Sequence, residues 1–191
     1  MFKLLAVTDR KLCAGSLSEQ LKIICSSERK PDAVILREKD LAAAEYNQLA
    51  QEAAKICAVY RVQLILHSFW QTAMELDCKN IHLPLAVLQT SEFQHYRNKF
   101  QLIGASIHSM EEAQQAVALG ANYLTAGNIY VTSCKVGLPG RGLVWLSDIC
   151  KEIKLPVYAI GGISLSGEQF DDLQKNGAAG ACIMSEFMLL K

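Results

Sequence analysis

The sequence predicts an α/β fold, a single small (β/α)8 TIM barrel over residues 1–191 with a short or incomplete last helix. Three observations carry this. Eight short apolar runs recur along the chain, amphipathic stretches separate them, and polar residues follow almost every run. Apolar strands separated by helices signal parallel strands buried on both faces. Eight of them fit a closed barrel better than an open sheet.

The runs are Leu4–Val7, Ala33–Leu36, Leu64–Leu66, Ile81–Leu83, Leu102–Ile107, Tyr123–Ala126, Val157–Ile160 and Ala181–Met184. Between them, Leu49, Ala53, Ile56 and Tyr60 share one helical face, as do Leu143, Leu146, Cys150 and Ile153. Capping boxes mark helix starts at Ser16 with Glu19, Ser109 with Glu112, and Ser166 with Gln169. The chain stops at Lys191, soon after the eighth run, which leaves little room for a full last helix. A homodimer would cover the side so exposed.

Composition narrows the function. Half of the chain is apolar (51%), and 19 basic residues balance 19 acidic ones. A neutral chain offers no electrostatic footprint for nucleic acid or an anionic membrane. The first apolar run is shorter than the ~7–15 residues of a signal peptide core, and no stretch reaches the ~20 needed to span a bilayer. Seven widely spaced cysteines without a CxxC pair argue against a disulfide framework or a zinc site. A reducing cytoplasm is the simplest setting.

In this architecture the carboxyl ends of the strands form the functional face. Thr8-Asp9-Arg10, Arg37-Glu38-Lys39, His67-Ser68, Ser106, His108, Gly127-Asn128, Gly161-Gly162 and Ser185 fall there. Paired glycines after the seventh run let backbone approach an anion, and a polar helix start at Ser164–Gln169 would add N–H groups. Ser185 ends the eighth run, so Gly161, Gly162 and Ser185 are read as a phosphate grip. Turn punctuation is the competing reading of the glycines.

His108 sits before the N-cap Ser109, where an imidazole can exchange a proton near pH 7, although a solvated histidine is the alternative. Lys135 and Arg141 flank a loop rich in turn formers, and Arg37 and Lys39 add charge from the second strand end. Such cations suit a carboxylate or phosphate, or are simply solvated. His67 could face the site, His82 reads as a core histidine and His95 as a surface one. No HxxxH or carboxylate–histidine cluster suggests a metal.

The segments AVTDR (6–10), LREK (36–39), IGASIHSMEEA (103–113), GANYLTAGNIYVTSCKVGLPGRGL (120–143), PVYAIGGIS (156–164) and GAAGACIMS (177–185) resemble the thiamine phosphate synthase superfamily. Within it, Ser106-Ile107-His108-Ser109 and the 134–142 loop are more similar to the TenI branch, the thiazole tautomerases. The synthase branch joins a pyrimidine pyrophosphate to a thiazole phosphate with magnesium. Where its pattern has Asn-Asp after the third strand, this chain has His67-Ser68. Where it has an aspartate after the fourth-strand His-Leu, this chain has Pro84-Leu85-Ala86-Val87. Ile35 replaces its pyrimidine-contacting glutamine.

The resemblance implies a tautomerase that aromatises a carboxythiazole phosphate in thiamine (vitamin B1) biosynthesis. His108 would move the proton. Arg37, Lys39, Ser106, Lys135 and Arg141 would bind substrate, and Gly161, Gly162 and Ser185 would hold its phosphate. No cofactor or metal is implied. The alternatives are a magnesium-dependent thiamine phosphate synthase, or a non-catalytic, regulatory thiazole-phosphate-binding protein.

Overall fold

A computed structural model describes residues 1–132 and 137–191. Eight strands form a closed, all-parallel barrel in sequence order: β1 (Lys3–Val7), β2 (Ala33–Leu36), β3 (Gln63–His67), β4 (Asn80–Pro84), β5 (Leu102–Ile107), β6 (Tyr123–Gly127), β7 (Val157–Ile160) and β8 (Gly180–Ile183). β1 closes the ring on β8, pairing Lys3 with Gly180 and Ala6 with Ile183. The expected (β/α)8 TIM barrel is the fold. Every predicted run lies on one of the strands; only Met184 falls past an end.

Side chains alternate across the wall, as the two-residue period of a strand requires. Ala6, Val34, Leu36, Leu66, Ile81 and Leu124 join the large core beneath the helices. Leu5, Val7, Ala33, Ile35, Ile65, Tyr123 and Cys182 form a separate cluster within the barrel. Both faces are filled, which is why the strands read as continuous apolar runs.

The outer layer comprises α1 (Leu17–Ser26), α2 (Ala43–Tyr60), α3 (Trp70–Glu75), α4 (Leu85–Leu88), α5 (Ser91–Tyr96), α6 (Met110–Ala118), α7 (Gly142–Glu152), α8 (Phe170–Lys175) and α9 (Ser185–Met188). Ser16 and Glu19 form the expected capping box on α1. On α2, Ala53 is buried, and Leu49, Ile56 and Tyr60 pack against the core from the expected face.

The last helix is short, as the sequence predicts. α9 has four residues, and Gln20 of α1 fastens it by donating from Nε2 to the carbonyls of Phe187 (2.8 Å) and Leu190 (2.9 Å).

The third expected capping box is not formed. Residues 164–169 make turns, and α8 begins only at Phe170 with Gln169 as its N-cap. Gly167 sits at φ +88°, a left-handed conformation that interrupts a helix. Gln169 instead staples the loop, accepting from Ser164 N (2.8 Å) and donating to Gly162 O (2.9 Å).

Candidate functional site

The carboxyl ends of the strands surround a cavity of about 670 Å³. Arg37, Lys39, Ser106, His108, Gly161, Gly162 and Ser185 all line it. Lys135 lies outside the described residues. Arg141 does not line the cavity: its Nε donates to Gly127 O (3.0 Å), and its guanidinium lies over the Trp145 ring, 5.2 Å from the centroid. In this position Arg141 braces the turn after β6 through the Gly127 carbonyl.

The cationic side begins with a buried carboxylate. Glu38, 2% exposed, accepts from Thr8 Oγ1 (2.7 Å), Arg10 N (3.1 Å) and Arg10 Nη1 (3.0 Å). Thr8 Oγ1 in turn accepts from Arg37 N (2.8 Å). Glu38 thereby locks the first two strand ends together and sets Arg37 and Lys39 on the rim. Arg10 also pairs with Asp40 (2.7 Å), which holds the Asp40 carboxyl well below the usual carboxylate range. The sequence reading took residues 37–39 as a cationic strand end and missed this inward carboxylate.

Three strands round the ring from β2, after β7, lie the glycines read as a phosphate grip. Gly161 and Gly162 adopt φ +102° and +68°. A Cβ on Gly161 would stand 2.6 Å from Asn128 Cβ, and one on Gly162 2.5 Å from Val131 O. Only glycine fits both the torsion and the space. The backbone N–H groups of Gly161, Gly162 and Ile163 meet no acceptor among the described residues. Consecutive unpaired N–H groups around positive-φ residues form a concave anion nest. Since residues 164–169 are not helical, the donors come from this loop rather than from the expected helix terminus. Glu186 accepts from Leu165 N (2.6 Å) and Ser164 Oγ (3.2 Å), fixing Ser185 beside the loop.

His108 stands just past the end of β5 and lines the cavity. Ser109 caps α6 by accepting from Glu112 N (3.2 Å). The Glu112 carboxylate does not return to the Ser109 amide, as a reciprocal box requires; it accepts from the His108 amide and from His108 Nδ1 (3.2 Å). Two donors on His108 outcompete one on Ser109. A carboxylate only accepts, so Nδ1 carries a proton, and exchange of a proton with a ligand falls to Nε2.

The cavity floor is polar. His82, 2% exposed, meets Tyr123 Oη through Nδ1 (3.0 Å), and Ser106 Oγ (2.9 Å) and Thr125 Oγ1 (3.3 Å) through Nε2. Its ring lies 5.5 Å from that of His67, whose Nδ1 meets Ser68 Oγ (2.7 Å). Burial pushes the His82 pKa down to about 3 and, with help from His82, Lys39 and Arg37, drives that of His67 well below its ordinary value. His67 therefore faces inward and is buried, while His95 is on the surface, as expected. Sequence reasoning passed over Tyr123 and Thr125, yet their two-residue spacing on one run was the available signal.

Two carboxylates, Glu112 and Glu186, reach the cavity wall, and both already accept protein N–H groups. Among the described residues no group of three or more His, Cys, Asp or Glu side chains is placed to hold a metal ion.

Comparison with known proteins agrees with this architecture. The family model described as thiamine monophosphate synthase matches residues 4–187. An Aquifex aeolicus protein provisionally named thiamine-phosphate synthase 2 is 33% identical over 187 residues, 97% of each chain. The thiamine-phosphate synthase of Syntrophomonas wolfei is 32% identical over 189 residues, 98% of this chain and 88% of the other. Among solved structures, a thiamine phosphate pyrophosphorylase from Pyrococcus furiosus superposes with a TM-score of 0.81 at 25% identity, covering 98% of this chain and 87% of that one. With its barrel matched over residues 4–187, the chain belongs to the thiamine monophosphate synthase family.

Proposed function

We propose that the protein is a metal-independent thiazole tautomerase of thiamine biosynthesis, with His108 as its acid/base. The observation that carries this reading is the Glu112–His108 pair at the rim: Glu112 holds Nδ1–H and leaves Nε2 to take and return a proton. A proton leaves the ring carbon bearing the carboxylate, and one is delivered to the exocyclic carbon, so the reaction is balanced within the substrate. Gly161, Gly162 and Ser185 hold the phosphate. Arg37, Lys39 and Lys135 steady the carboxylate and the charge that develops on it. Proton transfer by a positioned histidine contributes ~10²–10⁴-fold to such a rate. Turnover of the carboxythiazole phosphate tautomer is expected to persist in EDTA and to fall by about that factor in His108→Gln. Full activity in that variant rejects the mechanism.

A second reading, thiamine phosphate synthase, is favoured by the names of the relatives. That reaction calls for magnesium beside a leaving pyrophosphate. The residues here do not fit the ion. His67 is buried with its Nδ1 engaged by Ser68, and Pro84 to Ala86 present no carboxylate to the cavity. The expected result with pyrimidine pyrophosphate, thiazole phosphate and magnesium is no thiamine phosphate. Its formation would establish the synthase in place of the tautomerase.

A further inference from the structure

We infer that Tyr123 and His82 are positioning residues that fix the Ser106 hydroxyl as a hydrogen-bond donor into the cavity, so that it selects a ligand atom bearing a lone pair. The inference rests on the proposed reading of this cavity as the substrate site. Tyr123 Oη, on a residue 3% exposed, has His82 Nδ1 as its one hydrogen-bond partner among the described residues. A buried O–H without an acceptor is penalised more than an idle lone pair, so Tyr123 donates and Nδ1 accepts. The His82 ring is fully enclosed and burial holds it neutral, which places its single ring proton on Nε2.

Nε2–H then donates to Ser106 Oγ (2.9 Å). Thr125 Oγ1, 3.4 Å from Ser106 Oγ, donates to the same oxygen. Both acceptor sites of the serine hydroxyl are thereby occupied. Its own proton meets no acceptor among the described residues, and Ser106 lines the cavity.

Gly104 supports the same arrangement. It shares β5 and the inward face with Ser106, and a Cβ there would lie 2.4 Å from His82 Nδ1 and 2.1 Å from Tyr123 Cζ. The missing side chain is the space in which the histidine and tyrosine meet. The inward residues of β4, β5 and β6 thus act as one directional chain from Tyr123 through His82 to Ser106.

The tautomer is read first, in ligand-free protein labelled with 15N-histidine, where long-range 1H–15N spectra distinguish the ring nitrogens. His82 is assigned through its contact with Tyr123. A protonated Nε2 and a bare Nδ1 are expected, and a protonated Nδ1 overturns the inference without any substitution. Binding of aromatic thiazole phosphate then follows by titration. Ser106→Ala is expected to weaken it about tenfold, the scale of one hydrogen bond, and Tyr123→Phe to weaken it by a similar factor. In the Tyr123→Phe background, Ser106→Ala should add less than about twofold, because the hydroxyl has already turned toward Nε2. A full tenfold loss at each step also overturns the inference. Thiazole phosphate that fails to bind at all, with the expected tautomer present, counts against the proposed function and leaves the hydroxyl's direction established.

Discussion

Replacing Gly161 by alanine tests the anion nest most directly. The residue sits at φ +102°, and the added Cβ would lie 2.6 Å from Asn128 Cβ and 2.9 Å from Asn128 Cα. A non-glycine residue in left-handed backbone costs roughly 1–2 kcal/mol, and crowding a packed site typically about 1–3. Together these give roughly 2–5 kcal/mol. At about 2–4 °C per kcal/mol for a chain of this size, the melting point should fall by about 10 °C. Gly137→Ala is the control. Gly137 also has positive φ, at +81°, but nothing among the described residues lies within 4 Å of its Cβ position, so it reports torsional strain. The same displacement moves the Gly161 amide away from the anion. Losing one charge-assisted hydrogen bond, about 1.5–3 kcal/mol, weakens thiazole phosphate by about 10–100-fold. The assay is thermal unfolding by circular dichroism with and without thiazole phosphate. At about 100 times its Kd the ligand should stabilise the native protein by about 2.7 kcal/mol, and the Gly161→Ala protein far less. A variant that melts with the Gly137→Ala control and keeps the full ligand shift refutes the nest.

Glu112→Gln should lower tautomer turnover about tenfold with little change in KM, since it releases the His108 ring without touching the phosphate grip. Unchanged kcat would remove Glu112 from the mechanism. The buried histidines make folding sensitive to acid. A folded pKa of about 3 for His82, below the unfolded value near 6.5, contributes nothing to the pH dependence above 6.5 and destabilises as pH falls from there toward 3. Urea unfolding at pH 5 should therefore give about 2 kcal/mol less stability than at pH 7.5 from this residue alone, and His67 adds in the same direction. Equal stability at the two pH values would show that the ring charges in place. Glu38→Ala should destabilise by about 3 kcal/mol, toward the low end for breaking a buried pair because Arg10 is partly exposed. Chemical denaturation measures it, and a loss below about 1 kcal/mol would mean that Glu38 does not lock the strand ends.

The barrel was legible because its strands are buried on both faces. Val34, Leu36 and Ile81 pack outward while Ile35 and Ile65 pack inward, so the runs stay apolar apart from His82, Ser106 and Thr125. That Gly161, Gly162 and His108 share one cavity was legible because strand ends in this architecture converge on one mouth. What escaped the sequence depended on which donor a flexible side chain chooses. Ser166-x-x-Gln169 has the spacing of a capping box, but Gly167 breaks the helix and Gln169 caps a turn. Glu112 has the same spacing and turns to His108. Arg141 carries the charge expected of a ligand yet reaches a backbone carbonyl first. The inward row of His82, Ser106, Tyr123 and Thr125 combines strands 20 or so residues apart, a juxtaposition that the parallel pairing of β4, β5 and β6 creates, while the ring itself closes between β1 and β8.

That closure has a kinetic side. The clamp from Gln20 to Phe187 and Leu190 joins residues about as far apart in sequence as this chain allows. Contacts of such long range tend to form late in folding and to be among the first to breathe. Ser185, at the start of α9, sits on that seam, whereas Gly161 and Gly162 belong to the loop after the neighbouring strand, β7. An anion held between them, as proposed, would tie α9 to the loop after β7, beside that joint rather than across it. Amide hydrogen exchange along α9 should slow when the anion is bound, so the same few atoms proposed to hold the phosphate would also steady the end of the chain.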